Sequence, residues 1–136
     1  MKLSVTKDLE PLKQQALSNI DANAEKIRGR YITLGSGQAM VYDQKRAEAE
    51  KFMVDYNVDL TTPPSEIPHL TAESAMNGIS LFDQAVIYLT MRQSWLTVSL
   101  IIEERRLVAK TAVMAAQSPA QIEQAADVDW SDLPAP

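Results

Sequence analysis

Hydrophobic and polar residues alternate with a helical period over most of the chain. Near its start, apolar residues follow one another at steps of three and four: Leu17, Ile20, Ala24, Ile27 and Tyr31. This spacing places them on one face of a helix. It predicts a first helix over about residues 6–33, in which Thr6 caps the amide of Leu9.

A second helix is predicted over about 38–57, and a short one over 72–77. Between them, three prolines fall within a few residues of one another, which predicts an irregular stretch up to residue 70. Thr71 is the expected N-cap of the short helix, and Gly78 is its expected left-handed C-cap. Residues 35–38 lack the glycine and lysine spacing of a phosphate-binding loop. We therefore interpret them as a tight turn between the first two helices.

The longest predicted helix covers about residues 80–117, because no glycine or proline interrupts it. Its apolar side chains fall on more than one face, and one neighbouring helix cannot cover so wide a surface. We therefore expect either two helices of the same chain or another chain to cover it. The charged run Glu-Glu-Arg-Arg at 103–106 is expected to form a solvated face or a ring of ion pairs between subunits.

A last helix is predicted over 119–126, with Ser118 as its cap and a proline at its first position. Residues 127–136, here called the acidic segment, follow it. Three aspartates surround Trp130 in this segment, and Leu133 is close by. A large aromatic residue in such a setting is typical of an anchor. We expect the segment to lie in an apolar groove with a basic edge, on a partner in preference to the same chain.

These elements predict an all-α fold. Long helices form a helical hairpin or bundle, with one extra-long C-terminal helix and an extended segment after it. One helical domain is expected over 1–126, followed by residues 127–136. The length of 136 residues and the hydrophobic content of 46% fit a single globular domain.

The composition excludes several kinds of chemistry. The chain has no cysteine and one histidine, which rules out thiolate chemistry, disulfides and multi-histidine metal sites. His69 is expected to be a loop residue and not a catalytic base. A net charge of −5 argues against nucleic acid as the main partner. The sequence shows no signal-peptide core and no uninterrupted apolar run of membrane-helix length, so we expect a soluble protein made in the cytoplasm.

Two parts of the sequence resemble proteins of tailed phages. Residues 27–42 read Ile-Arg-Gly-Arg-Tyr-Ile-Thr-Leu-Gly-Ser-Gly-Gln-Ala-Met-Val-Tyr, and Lys-Arg-Ala-Glu-Ala follows at 45–49. This pattern resembles small proteins encoded among phage and prophage tail genes. The long helix adds further matching residues: Trp95, Glu103, Arg106 and Lys110. The stretch Asp-Val-Asp-Trp-Ser-Asp-Leu-Pro at 127–134 is similar to the closing residues of phage tail-fibre assembly proteins.

The resemblance implies a tail-fibre assembly chaperone, or a small protein bound to a fibre or tailspike. Such proteins are not enzymes and use no cofactor. We therefore expect a phage tail structural or assembly protein, in the virion tail or in the host cytoplasm during assembly. It would bind a tail fibre or another tail protein as a homo- or hetero-oligomer, without a nucleic acid or membrane partner.

The predicted partner-binding residues lie on the long helix and in the acidic segment: Trp95, Leu96, Leu100, Trp130 and Leu133. No catalytic, cofactor-binding or metal-binding residue is predicted. The alternative function is that of a small helical ligand-binding or regulatory module.

Overall fold

The computed structural model describes residues 8–136 of the chain. Over that range the protein has five α-helices and one short 3-10 helix, and no β-strand. The predicted all-α class and the long C-terminal helix are therefore confirmed. In chain order, the helices are α1 (Glu10–Arg28), α2 (Ser36–Asn57), the 3-10 helix (Pro64–Glu66), α3 (Pro68–Asn77), α4 (Leu81–Ala115) and α5 (Pro119–Ala126).

The ends of α1 differ from the prediction. Its predicted cap, Thr6, lies outside the described residues. Pro11 lies in the first turn of the helix, where the missing N–H of a proline leaves no hydrogen bond unmade. The helix ends at Arg28 and not at 33. After Gly29, the amides of Arg30 and Tyr31 bond to carbonyls three residues back, so the chain tightens into a turn.

The prediction of an irregular chain up to residue 70 holds only as far as residue 63, because the second half of the proline-rich stretch is helical. Pro64 opens the 3-10 helix and Pro68 opens α3. Both are first helical positions, where the fixed φ of proline suits a helix and no N–H is needed. Thr71, the predicted cap, therefore lies inside α3. Gly78 does end α3 in a left-handed conformation, with a φ of 65°.

The described residues divide into two compact units. The predicted helical domain over 1–126 stays a prediction. Residues 8–32 and 98–136 form unit 1, and Thr33–Thr97 form unit 2. Helix α4 belongs to both units, because it passes from unit 2 to unit 1 after Thr97 without a break. Each unit has apolar clusters of its own.

In unit 1, α1 and α5 pack against the second half of α4. The buried cluster between them consists of small and branched side chains: Ala16, Ile20, Ala109, Val113, Ala116 and Ile122. Beside it, Asp21 of α1 accepts hydrogen bonds from Lys110 at 2.9 and 3.0 Å and from Arg106 at 2.7 Å. The hydrogen bonds from Lys110, and then the one from Arg106, lower the pKa of Asp21. An ion-paired edge thus accompanies the apolar contact of α1 with α4.

In unit 2, α3 packs against α2 and the first half of α4. Its buried cluster contains Ala49, Ile67, Leu70, Ala85 and Tyr88. Leu70 and Ile67 are completely buried, which explains why α3 begins as early as Pro68. An earlier start of the helix brings both side chains into the apolar contact.

Glu48 joins α2 to the beginning of α3. Its carboxylate is buried, and it accepts hydrogen bonds from the backbone N–H of Leu70 (3.1 Å), from Nδ1 of His69 (2.7 Å) and from Nε2 of Gln44 (3.0 Å). The N-cap residue of α3, Ile67, has no side-chain acceptor, so the carboxylate of Glu48 takes that role. Burial by itself raises the pKa of Glu48, but the three hydrogen bonds outweigh it and the pKa is lowered.

We expect Glu48→Gln to lower the free energy of unfolding by about 1–3 kcal/mol, because an amide cannot accept all three hydrogen bonds in a buried position. Urea unfolding followed by circular dichroism measures this change. Glu50→Gln is the matched control on the same helix, since Glu50 is exposed and pairs with Arg46. Its effect is expected to stay below about 0.5 kcal/mol. Equal effects of the two substitutions would show that Glu48 is not an anchor.

Glu48 also makes the stability of unit 2 depend on acid pH. Because its pKa is lower in the folded chain than the ordinary value of 4.5, its contribution is present above pH 4.5 and is lost as the pH falls through the folded-state pKa. We therefore expect the difference in unfolding free energy between the parent and Glu48→Gln to shrink between about pH 5 and about pH 3. Urea titrations at several pH values test this. A difference that does not change with pH is the contrary result.

Candidate functional site

The acidic segment leaves α5 through a tight turn. The backbone N–H of Val128 donates to the carbonyl of Ala126 at 3.1 Å, and Asp127 between them has a φ of −84° and a ψ of 83°. These values describe an inverse γ-turn, which any residue type can adopt. The rest of the segment forms no helix, and it makes one turn at Ser131 and Asp132.

Trp130 and Leu133 of the acidic segment lie in an apolar groove of their own unit. The groove, here called the α1/α4 groove, is formed by Ala24, Ile27, Tyr31, Val98 and Ile102. Ala24 and Ile102 are completely buried there. The acidic segment therefore lies in an apolar groove, as the sequence predicts. In this structure the groove belongs to the same chain, whereas the sequence analysis preferred a groove on a partner.

Arg105 of α4 forms the basic edge of the groove. Its guanidinium donates two parallel hydrogen bonds to the carboxylate of Asp132, at 2.7 and 3.0 Å, and a third to the carbonyl of Asp129 at 2.8 Å. The same group lies 6.0 Å from the centre of the Trp130 ring. The hydrogen bonds from Arg105 hold the pKa of Asp132 below its ordinary range. One side chain thus holds three residues of the segment.

Tyr31 closes the far end of the groove. Its hydroxyl donates to the carbonyl of Pro134 at 2.5 Å. Tyr31 follows directly after the turn that ends α1, so the early end of that helix positions its ring beside the segment. Contacts from α1 and α4 therefore hold the segment along most of its length.

The charged run at 103–106 divides its contacts between two neighbours. Glu103 accepts from Arg28 of α1 at 3.0 Å, and Arg106 donates to Asp21 of α1, whereas Arg105 holds the acidic segment. Successive residues on a helix point about 100° apart, which is why neighbours in the sequence reach different partners. For this run, the sequence analysis left two alternatives, a solvated face or a ring of ion pairs between subunits. The structure shows ion pairs within unit 1.

The predicted partner-binding residues of α4 lie in a different setting from Trp130 and Leu133. Leu96 is 41% exposed and Leu100 is 68% exposed, while Trp95 is half-buried. Sequence reasoning missed Arg105 as a functional residue. The sequence did indicate that a basic residue would face the acidic segment, because the three aspartates around Trp130 predicted a basic edge of the groove.

A row of exposed apolar residues follows Leu100 along α4. Leu107 and Met114 come seven and fourteen positions later, and they are 50% and 49% exposed. Residues seven apart lie on nearly the same face of a helix. We call this row the α4 stripe (Leu100, Leu107 and Met114). All three residues lie in unit 1.

Helix α4 is also long and apolar enough, by length and composition alone, to cross a membrane, and 22% of its most apolar 18-residue window is buried. Helices of soluble proteins pass the same test. The sequence prediction missed this window because Arg92 and several polar residues interrupt the apolar run.

Within residues 8–136, no group of three or more histidine, aspartate or glutamate side chains is placed to hold a metal ion. The one histidine, His69, binds Glu48 through Nδ1 at the start of α3 and is not a loop residue. No protein-family model, curated protein or solved structure matches this chain.

We expect Trp130→Ala to lower the free energy of unfolding by about 1–3 kcal/mol, because it removes apolar contact with the α1/α4 groove. Urea unfolding, together with hydrogen exchange of the amides in the acidic segment, measures the change. Asp127→Asn is the matched control, because Asp127 is an exposed residue of the same segment. If Trp130→Ala leaves both stability and amide protection unchanged, the segment does not contribute to the fold of unit 1.

Proposed function

We propose that this protein is a structural or assembly component of a phage tail that binds a tail fibre or a neighbouring tail protein. The resemblance of residues 27–42 and 127–134 to tail-region proteins supports the class of partner. The α4 stripe supports the mode of binding. The protein would act in the virion tail, or in the host cytoplasm while the tail is assembled.

The α4 stripe is the observation that carries the proposal. Three large apolar side chains in a seven-residue spacing are each about half exposed or more on one helix face. Helices that bind a partner helix commonly present such a seam. Burying the three side chains would give several kcal/mol of favourable free energy at about 25 cal/mol per Å². The complementary surface on the fibre or tail protein is therefore expected to be apolar and helical.

The charged groups beside the stripe support a binding surface, because they are paired within unit 1. Glu103 is paired with Arg28 and Arg106, and Lys110 with Asp21. These charges hold α4 against α1, so they keep the stripe on a rigid helix. A rigid apolar ridge loses little conformational entropy when a partner covers it.

We expect Leu100→Glu to weaken binding to the partner by about tenfold or more, because it places a charge in the centre of an apolar contact. Co-expression with the products of neighbouring tail genes, followed by affinity capture and titration of the captured pair, measures the loss. Ser94→Glu is the matched control, since it adds the same charge at an exposed position of α4 about 120° away around the helix.

Circular dichroism establishes that both variants keep their helices. The proposal is contradicted if Leu100→Glu and Ser94→Glu bind the partner as tightly as the parent. It is also contradicted if the parent floats with phospholipid vesicles and Leu100→Glu does not, because the stripe would then be a membrane contact. The alternative function, a ligand-binding or regulatory module, stays a prediction.

A further inference from the structure

We propose that the α1/α4 groove of one copy binds the acidic segment of a second copy, so that two copies exchange residues 127–136. The occupant is the same segment that fills the groove within one chain. The exchange does not depend on which protein covers the α4 stripe, because the groove and the stripe use different residues.

The contacts of the acidic segment can form equally well in trans. Within unit 1 the segment reaches the groove through the side chains of Trp130 and Leu133, the ion pair of Asp132 with Arg105, and the carbonyl of Pro134. A second copy offers the same atoms in the same order. Exchange therefore replaces each contact with an identical one, which is why terminal segments exchange at low cost in free energy.

The turn after α5 is a suitable hinge for the exchange. Asp127 is exposed. The direction of the segment is set by the hydrogen bond across this residue, from Val128 to Ala126, and by the packing of Val128 against the cluster around Ile122. A change of φ and ψ at this residue turns the segment away without disturbing α5, whose Ile122 stays buried against α1 and α4. Besides the contacts in the groove, the exchange breaks the packing of Val128 against that cluster, and the Val128 of the second copy can restore it.

An empty groove favours capture of another segment. Ile27, Val98 and Ile102 are at most 5% exposed while the groove is filled, and they lose part of their cover when the segment leaves. Such an apolar surface binds the next matching segment that it meets. The charges agree with this, since Arg105 is the basic edge and the arriving segment carries three aspartates. Complementary charge speeds the encounter of the two copies.

Charge reversal in two full-length chains tests the proposal. Arg105→Glu places a carboxylate opposite Asp132, and Asp132→Arg places a second guanidinium opposite Arg105, so each variant alone has like charges at the groove. In a mixture, exchange of both segments restores both ion pairs, one in each groove. We expect the fraction of dimer in the mixture to exceed that of either variant alone by about tenfold, as measured by analytical ultracentrifugation.

Two controls separate exchange from other association. The double variant Arg105→Glu/Asp132→Arg restores the ion pair within one chain and is expected to return to the parent's degree of association. Trp130→Ala, added to both partners of the mixture, is expected to abolish the dimer. Ser94→Glu, at an exposed position outside the groove and the stripe, is expected to leave the dimer unchanged. The inference is overturned if the mixture remains monomeric while both variants are folded, or if the dimer survives Trp130→Ala.

Discussion

The packing around Ile102 is the contact on which the position of the acidic segment depends. This side chain of α4 is completely buried, and its cluster includes Ile27 of α1 as well as Trp130 of the acidic segment. Two elements from distant parts of the sequence therefore meet at one position. The ion pairs of Arg106 with Asp21 and of Arg105 with Asp132 lie near it. They set the orientation of α1 and of the segment, whereas the apolar contact supplies most of the stabilisation.

The second half of helix α4 has one covered face and one exposed apolar face. One face of its second half is covered by α1, α5 and the acidic segment, and the α4 stripe lies on another face. A wide apolar surface on one helix was evident from the sequence, because no single neighbour can cover it. The structure shows which part the chain itself covers, and the proposed partner accounts for the rest.

The sequence predicted the helices well and their contacts less well. Periodic spacing was enough for α1, and the absence of glycine and proline was enough for α4. Sequence reasoning failed at Pro64 and Pro68, because proline ends a helix or opens one according to its position. The spacing of residues along α2 does not reveal the role of Glu48, and only the chain fold shows that it meets the beginning of α3. The sequence could not show which groove binds Trp130, because a groove on the same chain and a groove on a partner can offer the same apolar and basic groups.

Unit 1 is built from two stretches of chain that are far apart in the sequence. Lys13 donates to the carbonyl of Met114, 101 residues away, and Tyr31 donates to that of Pro134, 103 residues away. During synthesis, α1 therefore leaves the ribosome long before the residues that cover it exist, whereas unit 2 is complete once Thr97 has emerged. Contacts between such distant residues also close slowly. The apolar face of α1 is thus the surface that a nascent chain must keep from aggregating for the longest time, until α4, α5 and finally the acidic segment arrive.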